Sequence, residues 1–527
     1  VAVFGKRRRL KRVPVEKGKF PGQTFRLQPP PLKQKRLKLA MFAVLTLASL
    51  LVVHMNHLFR PPGFWKLGWH GVAGSALVLI LLNWAFWIYT VRFHREVVAS
   101  VKRFVLVGVL VLGTLLAARL MSGGGSSQEL PVNLCYLIPM AFTILTLTIV
   151  FNQQFGLMAA AYLGVCVALV LEFTSVSFSP EGFPVWEAPE PGVFRILVVL
   201  LGGSVTAALT VGRIRDRSKL IKVGAGVGLV LAVMILASEA MHGATYRDLA
   251  SVGDVLVDPL WGLASGLMMG FLVSGALPFI EYFFDVTTDI SLIELSDHNH
   301  PLLRRLLLEA PGTYHHSFIT GTLAEAASEA IGANSLLARV GGYFHDVGKI
   351  NKPEYFTENE SHKGSHHGRL SPTMSTLIII AHTKDGIEMA KDYNLPPAII
   401  DFIPQHHGTS VIEYFYREAL EQSAGRFKVR QDYFRHLGPK PQTKETAIVS
   451  LADSVEAASR SLSDPTPARL EGMVHNIVTK KLMDDQLDES TLTFLELKTV
   501  EDTFLRVLAG IFHGRIAYPD SEIRKAQ

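Results

Sequence analysis

Nine of the chain's 19 histidines fall between positions 315 and 407, and the string His345-Asp346-Val347-Gly348-Lys349 sets an imidazole and a carboxylate side by side at a glycine-marked helix end. Neutral imidazole and carboxylate together suit Zn, Mn, Fe or Ni. Adjacent helical residues point about 100° apart, so such a pair straddles one ion only where a helix stops. Further ligands must come from other helices. The candidates are His316 in Tyr314-His315-His316-Ser317, His382 in Ala381-His382-Thr383, the pair His406-His407, and Asp453 in Leu451-Ala452-Asp453-Ser454. Each lies on or at the end of an apolar helical pattern, where an unpartnered polar side chain is costly. Any one of them alone reads better as a hydrogen-bonded core or surface residue. Together, five histidines and two aspartates make the inventory for two cations sharing a carboxylate, and such pairs, about 3.5–4 Å apart, drive in-line attack at phosphorus.

The elements that must hold these residues are helices. Apolar spacing is helical over 301–310, 315–333, 335–347, 373–393, 396–406, 411–422, 444–462, 466–486 and 491–513. The one β-like string, Leu377 to Ile380, follows Ser371-Pro372, an N-cap with proline at the first helical position, and so reads as helix. Loops fall at 351–371 and 423–443.

This catalytic half is one of two. The 527 residues are 49% hydrophobic and only 19% charged, below the roughly 25% charge of soluble proteins. The deficit sits between about 39 and 283, which excludes a single soluble fold and a disordered chain. Apolar runs long enough for a bilayer occupy about 38–56, 70–91, 104–121, 131–152, 155–173, 194–212, 220–241 and 260–280. The junction at Asn152-Gln153-Gln154 is tight, so seven spans is the alternative to eight. The expected organisation is a basic tail (1–37), a transmembrane domain (38–283), a linker (284–300) and a soluble all-α domain (301–527).

Charge sets the orientation. The first 38 residues carry 13 Lys/Arg against Glu16, so the formal net charge of +6 is a basic tail on a mildly acidic remainder. Loops after the second and sixth spans are basic (Arg92, Arg95, Lys102, Arg103; Arg213, Arg215, Arg217, Lys219, Lys222), whereas the alternate loops carry mainly acids, apart from the first (57–69), which has only Arg60 and Lys66. The positive-inside rule then places the N-terminus and the soluble domain in the cytoplasm, and the tail reads as a contact with anionic lipid rather than a nucleic-acid arm. The basic start followed by an apolar run reads as an anchor, not a cleaved signal. Glu172 and Glu239 fall near outer span ends, where they can reach the interface, so the membrane half reads as anchor and helix packing. Cys135 and Cys166 lie in apolar runs, which excludes a disulfide framework and a cysteine zinc site.

The pattern of His316, His345-Asp346 and Asp453 resembles that of HD-domain phosphohydrolases, and His382, His406 and His407 match their binuclear subset. The strings LIELSDHNHPLLRRLLLEAPGTYHHS (293–317), FHDVGKINKP (344–353), HTKDGIEMA (382–390), QHHGTS (405–410) and GPKPQTKETAIVSLADSVEAASRSL (438–462) are similar to the seven-transmembrane HD proteins of the PgpH type. The resemblance implies a polytopic helix bundle followed by an all-α HD fold in a bacterial inner membrane. The implied activity is a cyclic-di-AMP phosphodiesterase that yields pApA by attack of a bridging hydroxide, with two iron or manganese ions. One ion would use His316, His345, Asp346 and Asp453; the other would use Asp346 as bridge with His382, His406 and His407. His316 holds the motif position, which leaves His315 to packing. Lys349 would face the phosphate as a catalytic cation beside Asp346. Lys352, Tyr355, Lys440 and Lys444 are candidate substrate contacts, with Phe356 and Tyr414 as further stacking candidates. The expected partners are the cyclic dinucleotide and the bilayer, with no DNA or RNA, and a homodimer is a possible assembly.

The chain departs from the family in two places. The first outer loop is about 13 residues long, where relatives carry a large extracytoplasmic domain, and the loop before Leu370 reads Gly364-Ser365-His366-His367-Gly368-Arg369. Rival readings are a cyclic-di-GMP phosphodiesterase, a ppGpp hydrolase and a nucleotide-binding receptor without turnover. Against them stand the absence of a Gly-Tyr-Pro signature after His406-His407, the surplus of ligands for a single ion, and the complete ligand set, respectively.

Overall fold

A segment in hydrocarbon has no water to satisfy its backbone, so each apolar run must close its hydrogen bonds within itself. The computed structural model describes residues 32–54, 69–122, 132–172, 177–178, 184–185, 191–212, 214–241, 249–359, 366–423, 428–462 and 464–512. Its membrane half consists of α1 (Leu32–Val53), α2 (Trp69–Phe93), the short α3 (Arg95–Ala99), α4 (Val101–Met121), α5 (Met140–Val150), α6 (Gln153–Glu172), α7 (Pro191–Thr210), α8 (Arg217–Met241) and α9 (Leu249–Phe284). Six helices are long and apolar enough to cross a membrane, and two shorter apolar ones lie within Lys38–Val53 and Leu134–Val150. A hairpin of two-residue strands, Ser177–Phe178 with Pro184–Val185, is the one sheet among the described residues. Most of the basic tail and the first outer loop lie outside the described residues.

The run at 131–152 differs from the uniform span its composition suggests. Regular α-helix covers only the 11 residues of α5, preceded by a 3₁₀ turn at Val132–Leu137. The combined segment still runs the depth of α4. Cys135 Sγ lies 3.8 Å from Met121 O at one end of α4, and Phe151 packs on Phe284, whose carbonyl accepts from Arg103 Nε at the other end.

Glycines allow α8 and α9 to touch at their backbones, the small-residue packing that membranes favour. A Cβ on Gly266 would sit 2.2 Å from Gly228 N. Asn83 on α2 ties three helices together: it donates to Ser49 Oγ on α1 at 3.4 Å and accepts from Tyr162 on α6 at 2.9 Å. Glu239, near a span end, is turned into the bundle. It pairs with Arg195 on α7, which also meets Asp258 on α9 at 3.5 Å, and all three side chains are about 15–16% exposed.

The basic loops sit at the junction with the soluble domain. Lys102 pairs with Asp285 at 3.0 Å, Arg217 with Glu294 at 3.2 Å, and Glu281 accepts from Thr288 N at 3.1 Å and from Ser291 Oγ at 2.8 Å, fastening α9 to α10 (Asp289–Leu295).

Beyond lie α11 (Pro301–Glu309), α12 (Pro311–Ala330), α13 (Ser335–Phe344), α14 (Pro372–Asp392), α15 (Pro397–Ile400), α16 (Phe402–Gln405), α17 (Glu413–Ser423), α18 (Lys444–Arg460), α19 (Pro467–Met483) and α20 (Phe494–Phe512). The expected helix at 396–406 is two single turns, and the loop at 351–371 contains 3₁₀ turns at Pro353–Tyr355, Thr357–Asn359 and His366–Arg369. Two apolar clusters flank the site. One joins α12, α13 and α18–α20 through Leu323, Val449 and Phe504; the other joins α10–α14 and the α15–α16 segment through Leu306, Phe344 and Ile403.

Candidate metal centre

Local sequence delivers each ligand to one point. Helix α13 starts on the Asn334 cap, whose side chain accepts from Leu337 N, and stops at Phe344, so His345 and Asp346 fall in the turn before the 3₁₀ segment Val347–Asn351. Gly348 lets this turn lie on α14: a Cβ there would sit 1.9 Å from His382 O. Helix α14 begins as its sequence predicts, with Ser371 as cap and Pro372 at the first position, and presents His382. His406 ends α16, and Gly408 turns the chain away at φ +54°. Helix α18, begun by a Thr443/Thr446 capping box, carries Asp453. His316 on α12 is buried and His315 is exposed.

These seven side chains form two groups that share one residue: His316, His345, Asp346 and Asp453, and Asp346, His382, His406 and His407. The two oxygens of Asp346 divide them. Oδ2 faces His345 Nε2 at 3.2 Å and His316 Nε2 at 3.5 Å; Oδ1 faces His382 Nε2 at 3.4 Å and His406 Nε2 at 3.5 Å. Asp453 lies 3.1 Å from His316 Nε2 through Oδ1 and 3.6 Å from His407 Nδ1 through Oδ2.

The tautomers are set by what lies behind each ring. His345 Nδ1 donates to Gly342 O at 2.7 Å, His382 Nδ1 to Ile379 O at 2.5 Å and His406 Nδ1 to Ile403 O at 2.8 Å, while His316 Nδ1 meets Glu456. In the neutral ring, a donor at Nδ1 leaves Nε2 with a lone pair aimed at the shared point. The buried atoms His345 Nε2 and Asp346 Oδ1 have no hydrogen-bond partner, and His382 Nε2 lies 3.5 Å from His406 Nε2, lone pair toward lone pair. Buried acceptors converging in this way are unfavourable unless a cation lies among them. The donor set fits a pair of divalent ions.

Titration follows the same geometry. Burial opposes charge on His316 and His345, but the bonds to Asp453 and Glu456 raise the first to about 9, and Asp346 and Asp453 raise the second to about 10. Burial likewise opposes ionisation of Asp346, yet His345 and Lys349 hold it well below the carboxylate range. Burial and the neighbouring imidazoles keep His406 and His407 neutral.

Lys349 does not stand free before the site. Its Nζ lies between Asp346 Oδ2 at 2.7 Å and Glu358 Oε1 at 2.8 Å, over the Phe356 ring, and Glu358 accepts from Thr313 Oγ1 at 3.0 Å. Among the candidate substrate contacts, Tyr355 packs on His366 and His367, while Lys352 is exposed. Lys440 makes no bond to any of the seven ligands. Lys444 pairs with Glu496 on α20. Phe356 is buried against His382, and Tyr414 is exposed.

Sequence reasoning missed three participants. Glu456 orients His316 and was legible as the residue three beyond Asp453, hence on the same helix face. Glu358 gave no signal in the loop. His436, from the loop before α18, packs its ring 4.2 Å from His407; burial, then His382 and Lys481, push its pKa down to about 3.

Comparison with known proteins agrees with this arrangement. Residues 69–288 match the family described as a 7TM receptor with intracellular HD hydrolase, and residues 313–458 match the HD domain. The first match contains seven apolar helical segments, α2 and α4 to α9. The chain is 39% identical over 391 residues to the cyclic-di-AMP phosphodiesterase PgpH of Bacillus subtilis, covering 74% of this chain and 52% of the relative. It is 36% identical over 397 residues to PgpH of Listeria monocytogenes, covering 74% and 51%. A crystal structure of the L. monocytogenes PgpH HD domain in complex with cyclic-di-AMP is 46% identical, covers 41% of this chain and 100% of that one, and superposes with a TM-score of 0.40. The chain spans about half the length of the curated relatives it matches. With a seven-segment membrane bundle joined to an HD domain in which five histidines and two aspartates converge, the chain belongs to the family of 7TM proteins with an intracellular HD hydrolase domain.

Proposed function

We propose that this chain is a membrane-bound, metal-dependent phosphodiesterase that hydrolyses cyclic-di-AMP to linear pApA. The observation that carries the reading is the division of seven ligands, six of them buried, into two groups by the two oxygens of Asp346. The name shared by the two PgpH relatives supports the adenine dinucleotide.

His316, His345, Asp346 and Asp453 would hold one divalent ion, and Asp346, His382, His406 and His407 the other, with iron or manganese as the metal. Such a pair supplies the Lewis acidity that lowers the pKa of water and offsets charge on phosphoryl oxygens. The chain's own residues keep that arrangement ready. Backbone carbonyls and Glu456 hold four imidazole rings at Nδ1, with Nε2 turned to the shared point. The turn at Gly348 fixes Asp346 between the groups. Lys349, locked by Glu358, aligns the shared carboxylate and adds positive charge beside the reacting phosphoryl group.

The protein lies in the bacterial cytoplasmic membrane with the HD domain on the cytoplasmic side. The contacts of Lys102, Arg103 and Arg217 with residues 284–294 support this, because they put the basic loops on the face that bears the HD domain.

The test uses the full chain in detergent, loaded with manganese or iron, with cyclic-di-AMP, cyclic-di-GMP and ppGpp followed by chromatography. The expected result is pApA from the wild type and none from Asp346→Asn. Metal-loaded wild type that makes no pApA overturns the reading. Faster turnover of cyclic-di-GMP overturns the base assignment.

A further inference from the structure

Beside His407, the most open of the seven ligands with a side chain 23% exposed, the surface opens into a cavity of about 450 Å³, a size typical of small-molecule sites. His407 and Ser454 line its inner wall, and the end of α19, with Lys480, Lys481 and Met483, lines the opposite one. The formal charges in the wall cancel in pairs with one exception. Lys480 pairs with Glu413 at 2.6 Å, and Asp484 pairs with Arg435 at 3.0 and 3.2 Å. Lys481 is nine-tenths buried and has no carboxylate within 4.0 Å among the described residues. Its Nζ donates to Ser450 O at 2.8 Å and to Ser450 Oγ at 2.7 Å, which occupies two of its three N–H groups. A buried ammonium without a counter-charge is costly, and burial draws its pKa down to about 8.

A cyclic dinucleotide carries a second phosphate besides the one being cut, so its binding site needs a second cation. We infer that this cavity receives the half of the substrate that is not cleaved, and that Lys481 donates to the oxygens of its phosphate. The inference rests on the phosphodiesterase reading above. It makes Lys481 a determinant of selectivity for dinucleotides over esters with a single phosphate.

The experiment compares two substrates on the full-length, metal-loaded protein in detergent: cyclic-di-AMP and bis(p-nitrophenyl) phosphate, which has one phosphate. Lys481→Met keeps the length of the side chain and removes its charge. The expected result is a KM for cyclic-di-AMP raised about tenfold or more, the size of a lost charge-assisted hydrogen bond. The ratio of kcat/KM for cyclic-di-AMP to that for the aryl ester falls with it, and Lys481→Arg recovers part of the loss. Met483→Trp, at a rim position 76% exposed, narrows the cavity without entering the core and lowers the same ratio. Equal losses on both substrates in Lys481→Met, as a purely structural pin between α18 and α19 would give, together with an unchanged ratio in Met483→Trp, overturn the inference. Aryl ester turnover by a wild type that leaves cyclic-di-AMP intact overturns the phosphodiesterase reading itself, and this inference with it.

Discussion

In the membrane bundle, Arg195 is half-buried among α7, α8 and α9, and carboxylates from the two adjoining helices, Glu239 and Asp258, answer its charge. In the soluble domain, His345 and Asp346 are fully buried, and His345 Nε2 and Asp346 Oδ1 point inward with no hydrogen-bond partner. In the first arrangement the guanidinium and both carboxylates are ion-paired with one another. The second leaves converging ligand atoms that a cation would satisfy. Buried charge alone therefore does not mark a site; ligand atoms that converge on one point without a hydrogen-bond partner do.

Asp346→Asn is the strongest way to break the comparison. The shared carboxylate loses one anionic oxygen, and both ligand groups lose their common member. Turnover should fall on the order of 10³-fold or more, and metal analysis should find fewer than two ions per chain with the helical circular dichroism retained. Two ions still bound at wild-type affinity would refute the bridging role.

Glu456→Gln attacks the support of a ligand instead of the ligand. Losing the carboxylate behind His316 should cost about 10–100-fold in metal affinity or turnover. It should leave the cyclic-di-AMP KM of fully loaded protein near wild type, as titration with excess metal would show.

Proton linkage separates the histidines. His316 and His345 have folded pKa values of about 9 and 10, above the unfolded value of roughly 6.5. Their contribution to the metal-free fold is full below the unfolded value and is lost as pH rises through 9 to 10. His382, His406 and His407 are shifted downward, so their cost appears as pH falls below the unfolded value, where the unfolded chain takes up protons. Metal-free protein should be most stable near neutral pH and lose thermal stability on both sides. Metal, which displaces the protons of His316 and His345, should bind more tightly as pH rises. Melting curves of the apo and loaded protein from pH 5 to pH 10 check both signs. An apo protein whose Tm does not change with pH would contradict the assignment.

Arg195→Met should affect turnover least. It strands Glu239 and Asp258 and should destabilise the bundle by on the order of 3 kcal/mol, lowering the Tm in detergent. The kcat of folded protein should stay within about twofold, since surface and packing changes far from a site add independently of it. A large loss of kcat at unchanged Tm would mean that the trio serves the active site and not the bundle.

Much of this was legible in one dimension. Runs of apolar residues must become helices in lipid because the backbone has no other partner there, and α2, α4 and α6 to α9 follow. Helical periodicity, the Ser371-Pro372 start of α14 and the glycine after His345-Asp346 are consequences of local backbone geometry. So is the inventory of five histidines and two aspartates, which residue type alone identifies as metal-ligating.

What local geometry does not contain is convergence. Glu456 meets His316 across 140 positions, and Lys444 turns to Glu496 across 52. Only packing decides that one oxygen of Asp346 faces each ligand group, that Glu358 claims Lys349, that Arg195 finds two carboxylates, and that Lys481 lines a cavity beside His407. The sequence determined which chemistry the chain possesses, because donor atoms and helix periods belong to residues. The tertiary structure decided which of those groups are satisfied by one another and which are left for a ligand, because that depends on distances between segments far apart in the chain.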